Sequence, residues 1–224
     1  MGPLKLVLFD VDGTLIDSQH AIVDAMTRAA GIAGLPEPTR EATLSIVGLS
    51  LPGAIARLYP DHDDAAQARM VAGYKQAYME ARNEDGAPPF YDGAETALRA
   101  LHAREEVLLG TATGMSRRGM TRIIESHNLR GLFATTQTAD DQPSKPDPAM
   151  VNAALSETGV TARDAVFVGD TVYDIEAGRA AGVFTIGVTW GYHAAAALAD
   201  AGADRIIDAF DALIPTIDEL WSAP

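Results

Sequence analysis

The sequence alternates short apolar runs with helical patterns, and this order limits the possible folds more than any other feature. Runs of strand-forming residues occur six times, the third and the last more weakly, at residues 4–9, 107–110, 132–137, 165–169, 183–188 and 205–207. Apolar residues at helical spacing lie between or after them, at residues 93–104, 116–128, 148–158, 173–181 and 210–221. Strands that alternate with helices of this length predict a doubly wound parallel sheet in the α/β class.

Residues 16–91 interrupt the alternation. They contain no convincing strand, and their apolar spacing, punctuated by prolines, predicts helices at residues 18–33, 40–47, 51–58 and 64–82. We therefore predict an α/β core formed by residues 1–15 and 92–224, with an inserted α-helical domain at residues 16–91. Ligands bind at the carboxyl ends of the strands in such sheets, so an insertion that leaves the first strand there would cover the site.

Composition excludes several classes of function. The length of 224 residues fits one core domain with a modest insertion, and the net charge of −14 disfavours nucleic-acid binding. The absence of cysteine excludes a disulfide framework, a thiolate metal site and a cysteine nucleophile. Residues 180–199 lack Asp, Glu, Lys and Arg, but their glycines and histidine indicate strand and loop. We expect a cytoplasmic protein with no membrane partner.

Two clusters of carboxylates follow apolar runs directly. Asp10 and Asp12 lie in the segment DVDGTL, and carboxylates this close repel each other unless a metal or a function holds them. A polar loop with a turn at Asp12-Gly13 is the alternative interpretation. Asp170 and Asp174 lie in GDTVYD, where a helix cap explains one acid but not both. Oxygen ligands from two strand ends suit Mg²⁺.

Two further elements could bind phosphate. Thr113 and Gly114 precede a predicted helix, where a hydroxyl and backbone N–H groups favour an anion, although Ser116 could simply cap that helix. Lys145 is one of three lysines and lies before a proline in SKPDP. Its setting suits a point charge for phosphate, and a solvated loop lysine is the alternative.

Taken together, these elements resemble the four motifs of the haloacid dehalogenase superfamily of phosphatases. DVDGTL resembles the first motif, Thr113 the second, Lys145 in KPDP the third and GDTVYD the fourth. The helical insertion is similar to the cap that this family carries between its first two motifs. The resemblance covers nearly the whole chain and implies a Rossmann-like core.

The resemblance also implies a role for each motif residue. Asp10 corresponds to the nucleophile that forms an aspartyl phosphate, and Asp12 to the general acid and base. Asp10, the backbone carbonyl of Asp12, Asp170 and Asp174 correspond to the Mg²⁺ site. Thr113 and Lys145 correspond to catalytic residues that also bind the phosphate, and Gly13, Thr14 and Gly114 to further phosphate-binding positions.

The remaining features refine this expectation. Retention of Asp12 points to phosphate-ester hydrolysis or phosphate transfer, because the dehalogenases and phosphonate hydrolases of the superfamily lack an acid there. Ile22 and Leu51 stand where the sugar-phosphate mutases carry His and Arg, which disfavours mutase activity. The loop at residues 48–50 resembles the cap loop that contacts substrate, so its members are candidate binding residues: Gly48, Leu49 and Ser50. Arg117 and Arg118 are expected on an exposed helix start.

Three local expectations and one functional prediction follow. Asp17 and Ser18 are expected to form the N-cap of the first inserted helix, and Trp190 to pack under a late loop. We predict a Mg²⁺-dependent phosphatase for small phosphorylated metabolites, most like phosphoglycolate phosphatases, as a monomer or homodimer. The alternatives are a nucleotidase, an inorganic pyrophosphatase, a sugar phosphatase or, in another class, an inactive binding or regulatory module.

Overall fold

A computed structural model describes residues 3–222, without the side chains of residues 82–85; residues 1–2 and 223–224 of the predicted core lie outside this description. The strands are β1 (Lys5–Phe9), β2 (Val107–Thr113), β3 (Thr135–Thr138), β4 (Ala165–Gly169), β5 (Phe184–Val188) and β6 (Arg205–Ile207). The helices are α1 (Gln19–Ala33), α2 (Arg40–Leu44), α3 (Leu51–Leu58), α4 (Asp64–Asp85), α5 (Ala94–His102), α6 (Arg117–Ser126), α7 (Ala149–Thr158), α8 (Val172–Ala181), α9 (Ala195–Asp200) and α10 (Leu213–Ser222).

The strands form one six-stranded parallel sheet in the order β3-β2-β1-β4-β5-β6, which confirms the predicted α/β class. Two strands differ from the prediction in length. β2 continues to Thr113 because its last residues are buried and pair with β3. β3 begins only at Thr135, since Leu132 before it packs into the core and does not join the sheet.

Both faces of the sheet are covered by helices. Leu6 and Leu8 of β1 pack with Phe167 of β4 under α7 and α8. Val7 and Phe9 point to the other face, into the core that includes residues of α5, α6 and α10. Burial on both faces explains why β1 is a continuous apolar run without polar alternation.

The insertion folds into four helices with an apolar core of its own. α1 packs along α4, and the centre of this core includes Met26, Ile55 and Met70. The predicted helix at residues 40–47 ends earlier, at Leu44, because the chain turns towards Gly48, whose φ of +97° is not helical. α9 was not predicted, although its alanine-rich sequence favours a helix.

The chain enters and leaves the insertion through two adjacent segments. The N–H of Asp17 donates to the carbonyl of Pro89 (2.9 Å), and the N–H of Tyr91 donates to that of Leu15 (3.0 Å). Ile16 and Phe90 form an antiparallel bridge between these bonds. The separate core and this paired connection support our proposal that residues 16–91 form a cap domain on a core of residues 1–15 and 92–224. No helix of the described residues is long and apolar enough to span a bilayer.

Candidate active site

The site lies where the strand order reverses. β1 leads along the chain to β2 and β3 on one side, whereas β4, β5 and β6 lie on the other side of β1. Asp10 and Asp170 directly follow the neighbouring strands β1 and β4, and the N–H of Asp10 donates to the carbonyl of Val168 (2.9 Å). Thr113 ends β2 on the opposite side of β1. Such a switch point is the usual ligand site of doubly wound sheets.

Asp10, Asp170 and Asp174 form a cluster of buried carboxylates. One oxygen from each lies within 4.8 Å of the others. Asp174 is held by the capping box of α8, because both the backbone N–H and the hydroxyl of Thr171 donate to its Oδ2 (3.0 and 2.7 Å). This cap leaves Asp174 Oδ1 for the cluster.

A buried ammonium group lies among these carboxylates. Lys145 Nζ donates to Asp10 Oδ1 (2.7 Å), Asp174 Oδ1 (2.6 Å) and the carbonyl of Ala112 (3.1 Å). These bonds use all three of its donors. Burial alone would lower the pKa of Lys145, but the charges of Asp10 and Asp174 outweigh it and raise the pKa. The predicted contact of Lys145 with phosphate therefore stays a prediction, while its place at the site is clear.

Two hydrogen bonds orient the third carboxylate. The hydroxyl of Thr14 donates to Asp170 Oδ1 (2.9 Å), and the N–H of Tyr192 donates to Oδ2 (2.8 Å). Burial, and next the charge of Asp174, raise the pKa of Asp170 to about 7. Burial also raises the pKa of Asp10 well above its usual range, with Lys145 opposing and the other two acids adding to the shift. The cluster thus holds more negative charge than Lys145 neutralises.

The cluster fits a divalent cation. Asp10 Oδ2 is buried and has no hydrogen-bond partner among the described residues, so it is an acceptor that the protein leaves unsatisfied. Three carboxylates from two strand ends are the hard oxygen ligands that suit Mg²⁺ and related ions. The residues could therefore hold such an ion.

Asp12 is oriented by two side chains that the sequence did not single out for this role. The hydroxyl of Ser18 lies 2.5 Å from Asp12 Oδ1 and donates to it, and the Tyr192 hydroxyl lies 3.0 Å from Ser18 Oγ. With Asp12 ionised, Tyr192 donates to Ser18 and Ser18 to Asp12. Ser18 occupies the N-cap position of α1, as expected, but its side chain forms no capping bond.

The segment after β2 packs tightly against the loop at residues 48–50. A Cβ on Gly114 would lie 2.5 Å from the carbonyl oxygen of Leu49, so only glycine allows this approach. Thr113 Oγ1 accepts a hydrogen bond from the N–H of Met115 (3.2 Å). Ser116 caps α6 by accepting the N–H of Gly119, which is the alternative given above for this segment. Gly13 has a φ of +86° and faces the Asp170 carboxylate, which leaves no room for a side chain.

A cavity of about 490 Å³ lies between the insertion and the core. Its wall includes seven of the predicted site residues: Asp10, Asp12, Gly48, Leu49, Ser50, Thr113 and Gly114. The other five lie beneath or beside this wall without lining it: Gly13, Thr14, Lys145, Asp170 and Asp174. The N–H of Ser50 donates to Ser144 Oγ (2.7 Å), so the loop at residues 48–50 is fastened to the core segment that carries Lys145.

Residues near the cavity show what sequence reasoning missed. Arg118 is exposed as expected, but it lines the cavity together with Arg122. Tyr192 could have been predicted as a site residue, because it lies in the loop that follows the apolar run of β5. Trp190 packs as expected, with its ring centroid 4.6 Å from that of Phe210.

The geometry agrees with comparisons to known proteins. Residues 7–188 match the family described as haloacid dehalogenase-like hydrolase. The chain belongs to this family. It is 30% identical over 218 residues to a phosphoglycolate phosphatase of Pseudomonas putida, an alignment that covers 94% of this chain and 79% of the relative. It is also 32% identical over 192 residues to the pyrophosphatase PpaX of Listeria monocytogenes, which covers 84% and 85% of the two chains.

The fold is also similar to that of a solved structure over nearly the whole chain. A hydrolase from Pseudomonas syringae superposes with a TM-score of 0.85 at 25% identity and covers 97% of this chain and 99% of that one. The expected family is confirmed, and so is the expected enzyme class, a phosphatase-type hydrolase.

Removal of the buried ammonium should destabilise the fold. We expect Lys145→Met to lower the free energy of unfolding by roughly 3–5 kcal/mol at pH 8, because it leaves buried carboxylates without a counter-charge. The loss should shrink at pH 5.5, where the raised pKa values of Asp10 and Asp170 favour their neutral forms. Urea unfolding in EDTA measures both. Lys75→Met is the control, since Lys75 is exposed; equal losses in the two variants would contradict the assignment.

Binding of a divalent cation should weaken in acid. Asp170 must be ionised to bind the ion, and its pKa of about 7 in the metal-free protein means that protons compete below pH 7. We expect the dissociation constant for Mg²⁺, measured by calorimetry, to rise by roughly tenfold per pH unit below 7 and to change little above pH 8. The same constant at pH 5.5 and pH 8 would refute this reading of the cluster.

Proposed function

We propose that this hydrolase removes phosphate from small-metabolite phosphomonoesters in a Mg²⁺-dependent reaction with Asp10 as nucleophile. The observation that carries the proposal is the setting of Asp10. One oxygen of Asp10 is held by Lys145, the other is buried without a hydrogen-bond partner among the described residues, and the residue also lines the cavity. A carboxylate fixed in this way at the wall of a cavity is suited to covalent catalysis.

The proposed reaction has two steps. An Asp10 oxygen attacks phosphorus, a bond from that oxygen to phosphorus forms, and the bond from phosphorus to the ester oxygen breaks. Asp12 gives its proton to the departing oxygen. Asp12 then takes a proton from water, the water oxygen attacks phosphorus, and the bond to Asp10 breaks to release phosphate. Ser18 holds Asp12 through this exchange, because its hydroxyl can donate to or accept from the carboxyl group.

Charge control in this scheme comes from the buried residues. Asp10 must be ionised to attack, and the ammonium group of Lys145 favours its ionised form against the effect of burial. Asp10, Asp170, Asp174 and the backbone carbonyl of Asp12 would hold Mg²⁺, which when bound offsets the repulsion between an anionic nucleophile and an anionic phosphate. Thr113 and the N–H groups near Gly13 and Gly114 are the proposed phosphate contacts.

The insertion would exclude water from the reaction. The loop at residues 48–50 contacts Gly114 and bonds to Ser144, both on the core. We propose that these contacts separate when the cap opens to admit the ester and form again before cleavage. A site of this kind favours small metabolites over phosphorylated proteins.

The substrate proposal starts from the relatives. Phosphoglycolate is the first candidate because the Pseudomonas putida relative carries that name, and pyrophosphate is the second because of the Listeria monocytogenes relative. Ile22 lines the cavity and offers no proton-transfer group, in keeping with the expectation that a mutase is disfavoured. Nucleotides and sugar phosphates complete the set to be tested.

Phosphate release from a panel of esters tests the proposal. We expect release with Mg²⁺ that is lost in EDTA and that falls by at least roughly 10³-fold in Asp10→Asn, because an amide is a poor nucleophile. The panel contains 2-phosphoglycolate, pyrophosphate, nucleoside monophosphates, sugar phosphates and p-nitrophenyl phosphate. Asp140→Asn is the matched control, since Asp140 lines the same cavity outside the carboxylate cluster.

The outcomes separate the candidate functions. Release confined to pyrophosphate would replace the monoesterase by a pyrophosphatase. No release from any compound, in the wild type and in Asp10→Asn alike, would favour an inactive binding or regulatory module. Activity that survives Asp10→Asn would reject Asp10 as nucleophile.

Loss of the Ser18 hydroxyl should slow catalysis. We expect Ser18→Ala to lower kcat by roughly tenfold with little change in KM, because Asp12 loses one charge-assisted hydrogen bond of about 1.5–3 kcal/mol. Tyr192→Phe should have a smaller effect, since it removes only the bond to Ser18. Steady-state kinetics on any ester cleaved in the panel measure both. An unchanged kcat in Ser18→Ala would show that Asp12 does not depend on this bond.

A further inference from the structure

The cavity is larger than a two-carbon leaving group requires. Its volume of about 490 Å³ lies in the range of pockets that enclose drug-sized ligands. Asp10 and Asp12 lie at its wall with Thr113, where the phosphoryl group would bind, and the remaining wall extends along α1, α4 and α6. The space beyond the reaction centre can therefore receive a leaving group much bulkier than glycolate.

The wall on the insertion side is aromatic and apolar. Tyr74 and Tyr78, one turn apart on α4, stack with ring centroids 5.6 Å apart at an angle of 16°. Met26 and Met79 from α1 and α4 line the cavity with them. Such a surface favours a flat, ring-sized group, because aromatic rings gain contact energy from stacked partners.

Three cations line the same cavity in a protein with a net charge of −14. Lys75 lies on α4, and Arg118 and Arg122 are four residues apart on α6, so they project from one face of that helix. None of the three forms an ion pair or a side-chain hydrogen bond with a described residue. By contrast, Arg117, which does not line the cavity, pairs with Asp141.

Asp140 is the acid that shares this part of the wall. Its Oδ2 accepts the backbone N–H of Arg117 (2.9 Å), so one of its oxygens is engaged at the start of α6. One carboxylate does not balance three cations. The cavity therefore has excess positive charge on its walls apart from the reaction centre, where an anionic group of a ligand would be attracted.

From the stacked tyrosines and the unpaired arginines we infer that the substrate is a phosphomonoester whose leaving group is ring-sized and carries a second anionic group. Arg118 and Arg122 bind that second anion, and Tyr74 and Tyr78 pack against the ring. The inference rests on the proposed phosphatase activity and names the substrate class of that site; it ranks a ring-sized anionic ester ahead of phosphoglycolate, which the relatives alone made the first candidate. It makes Arg118 and Arg122 specificity-determining residues that take no part in bond cleavage.

A matched set of aryl esters tests the inference. 4-Carboxyphenyl phosphate has a ring and an anion, and 4-carbamoylphenyl phosphate has the same shape without the charge. The 4-carbamoylphenolate is a better leaving group than the 4-carboxyphenolate, so a preference for the carboxylate ester cannot come from leaving-group chemistry. 2-Phosphoglycolate supplies an anion without a ring. The readout is kcat/KM with Mg²⁺ for each ester.

The wild type should prefer the carboxylate over the amide by about tenfold or more, the effect of a charge-assisted hydrogen bond. The double variant Arg118→Ala/Arg122→Ala should reduce this preference to about one. The substitutions should lower kcat/KM mainly for 4-carboxyphenyl phosphate, because only that ester carries the second anion. Arg118→Lys/Arg122→Lys should retain part of the preference. Arg117→Ala is the control on the same helix and should leave the ratio unchanged.

Each contrary result has a distinct meaning. Equal kcat/KM for carboxylate and amide in the wild type, or a preference that survives the double alanine variant, overturns the second-anion assignment. A higher kcat/KM for 2-phosphoglycolate than for 4-carboxyphenyl phosphate overturns the ring-sized leaving group. In both cases cleavage of the amide ester still supports the phosphatase. Absence of phosphate release from all three esters and from the wider panel would overturn the proposed function itself.

Discussion

The site depends on one buried ammonium group among three buried carboxylates. Carboxylates this close cannot all be ionised in a low-dielectric interior unless cations lie beside them. Lys145 supplies one positive charge and bonds to Asp10 and Asp174 at once, which joins the end of β1 to the start of α8. Burial, and next the charge of Asp174, raise the pKa of Asp170 to about 7 although Lys145 lowers it, so this single charge does not offset both effects. The same imbalance that makes the cluster costly would favour binding of a divalent cation, so stability and the proposed function share one electrostatic cause.

The fold provides this cluster through chain order and close packing. β1 and β4 are neighbours although 158 residues (11–168) separate Asp10 from Gly169–Asp170 of the fourth motif, because the chain first forms β2 and β3 on the other side. Two glycines then allow neighbouring segments to approach closely. Gly114 lies under the carbonyl of Leu49 from the insertion, and Gly13 lies against the carboxylate of Asp170. The insertion closes over the carboxylates from outside. The core therefore positions the three carboxylates and Lys145, and the insertion forms most of the cavity wall beyond them.

Local patterns predict the part of this arrangement that depends on the backbone. The apolar run before Asp10 and that before Asp170 predict parallel strands, and parallel strands bring their carboxyl ends to one edge, so the meeting of these acids follows from the sequence. The hydrogen bond from Ser18 to Asp12 does not follow from the sequence, because Ser18 is equally suited to cap α1. Which of the two bonds its hydroxyl forms depends on the packing of Tyr192, which comes from a distant loop. The sequence also does not predict that Arg118 lines the cavity and Arg117 does not. Adjacent residues of a helix point about 100° apart, and only the packing of α6 decides which of them faces the cavity.

Specificity and chemistry are consequently separated in space. In the proposed reaction any phosphomonoester presents the same phosphoryl group to Asp10, so the groups that bind phosphate cannot distinguish one ester from another. Discrimination has to come from the leaving group, which meets the wall built by α1, α4 and α6. The overall charge of −14 repels anionic esters at long range, and Lys75, Arg118 and Arg122 oppose that repulsion at the cavity itself. A ligand with two anionic groups gains binding energy from both the reaction centre and these cations. A ligand with a single anionic group gains it only from the reaction centre.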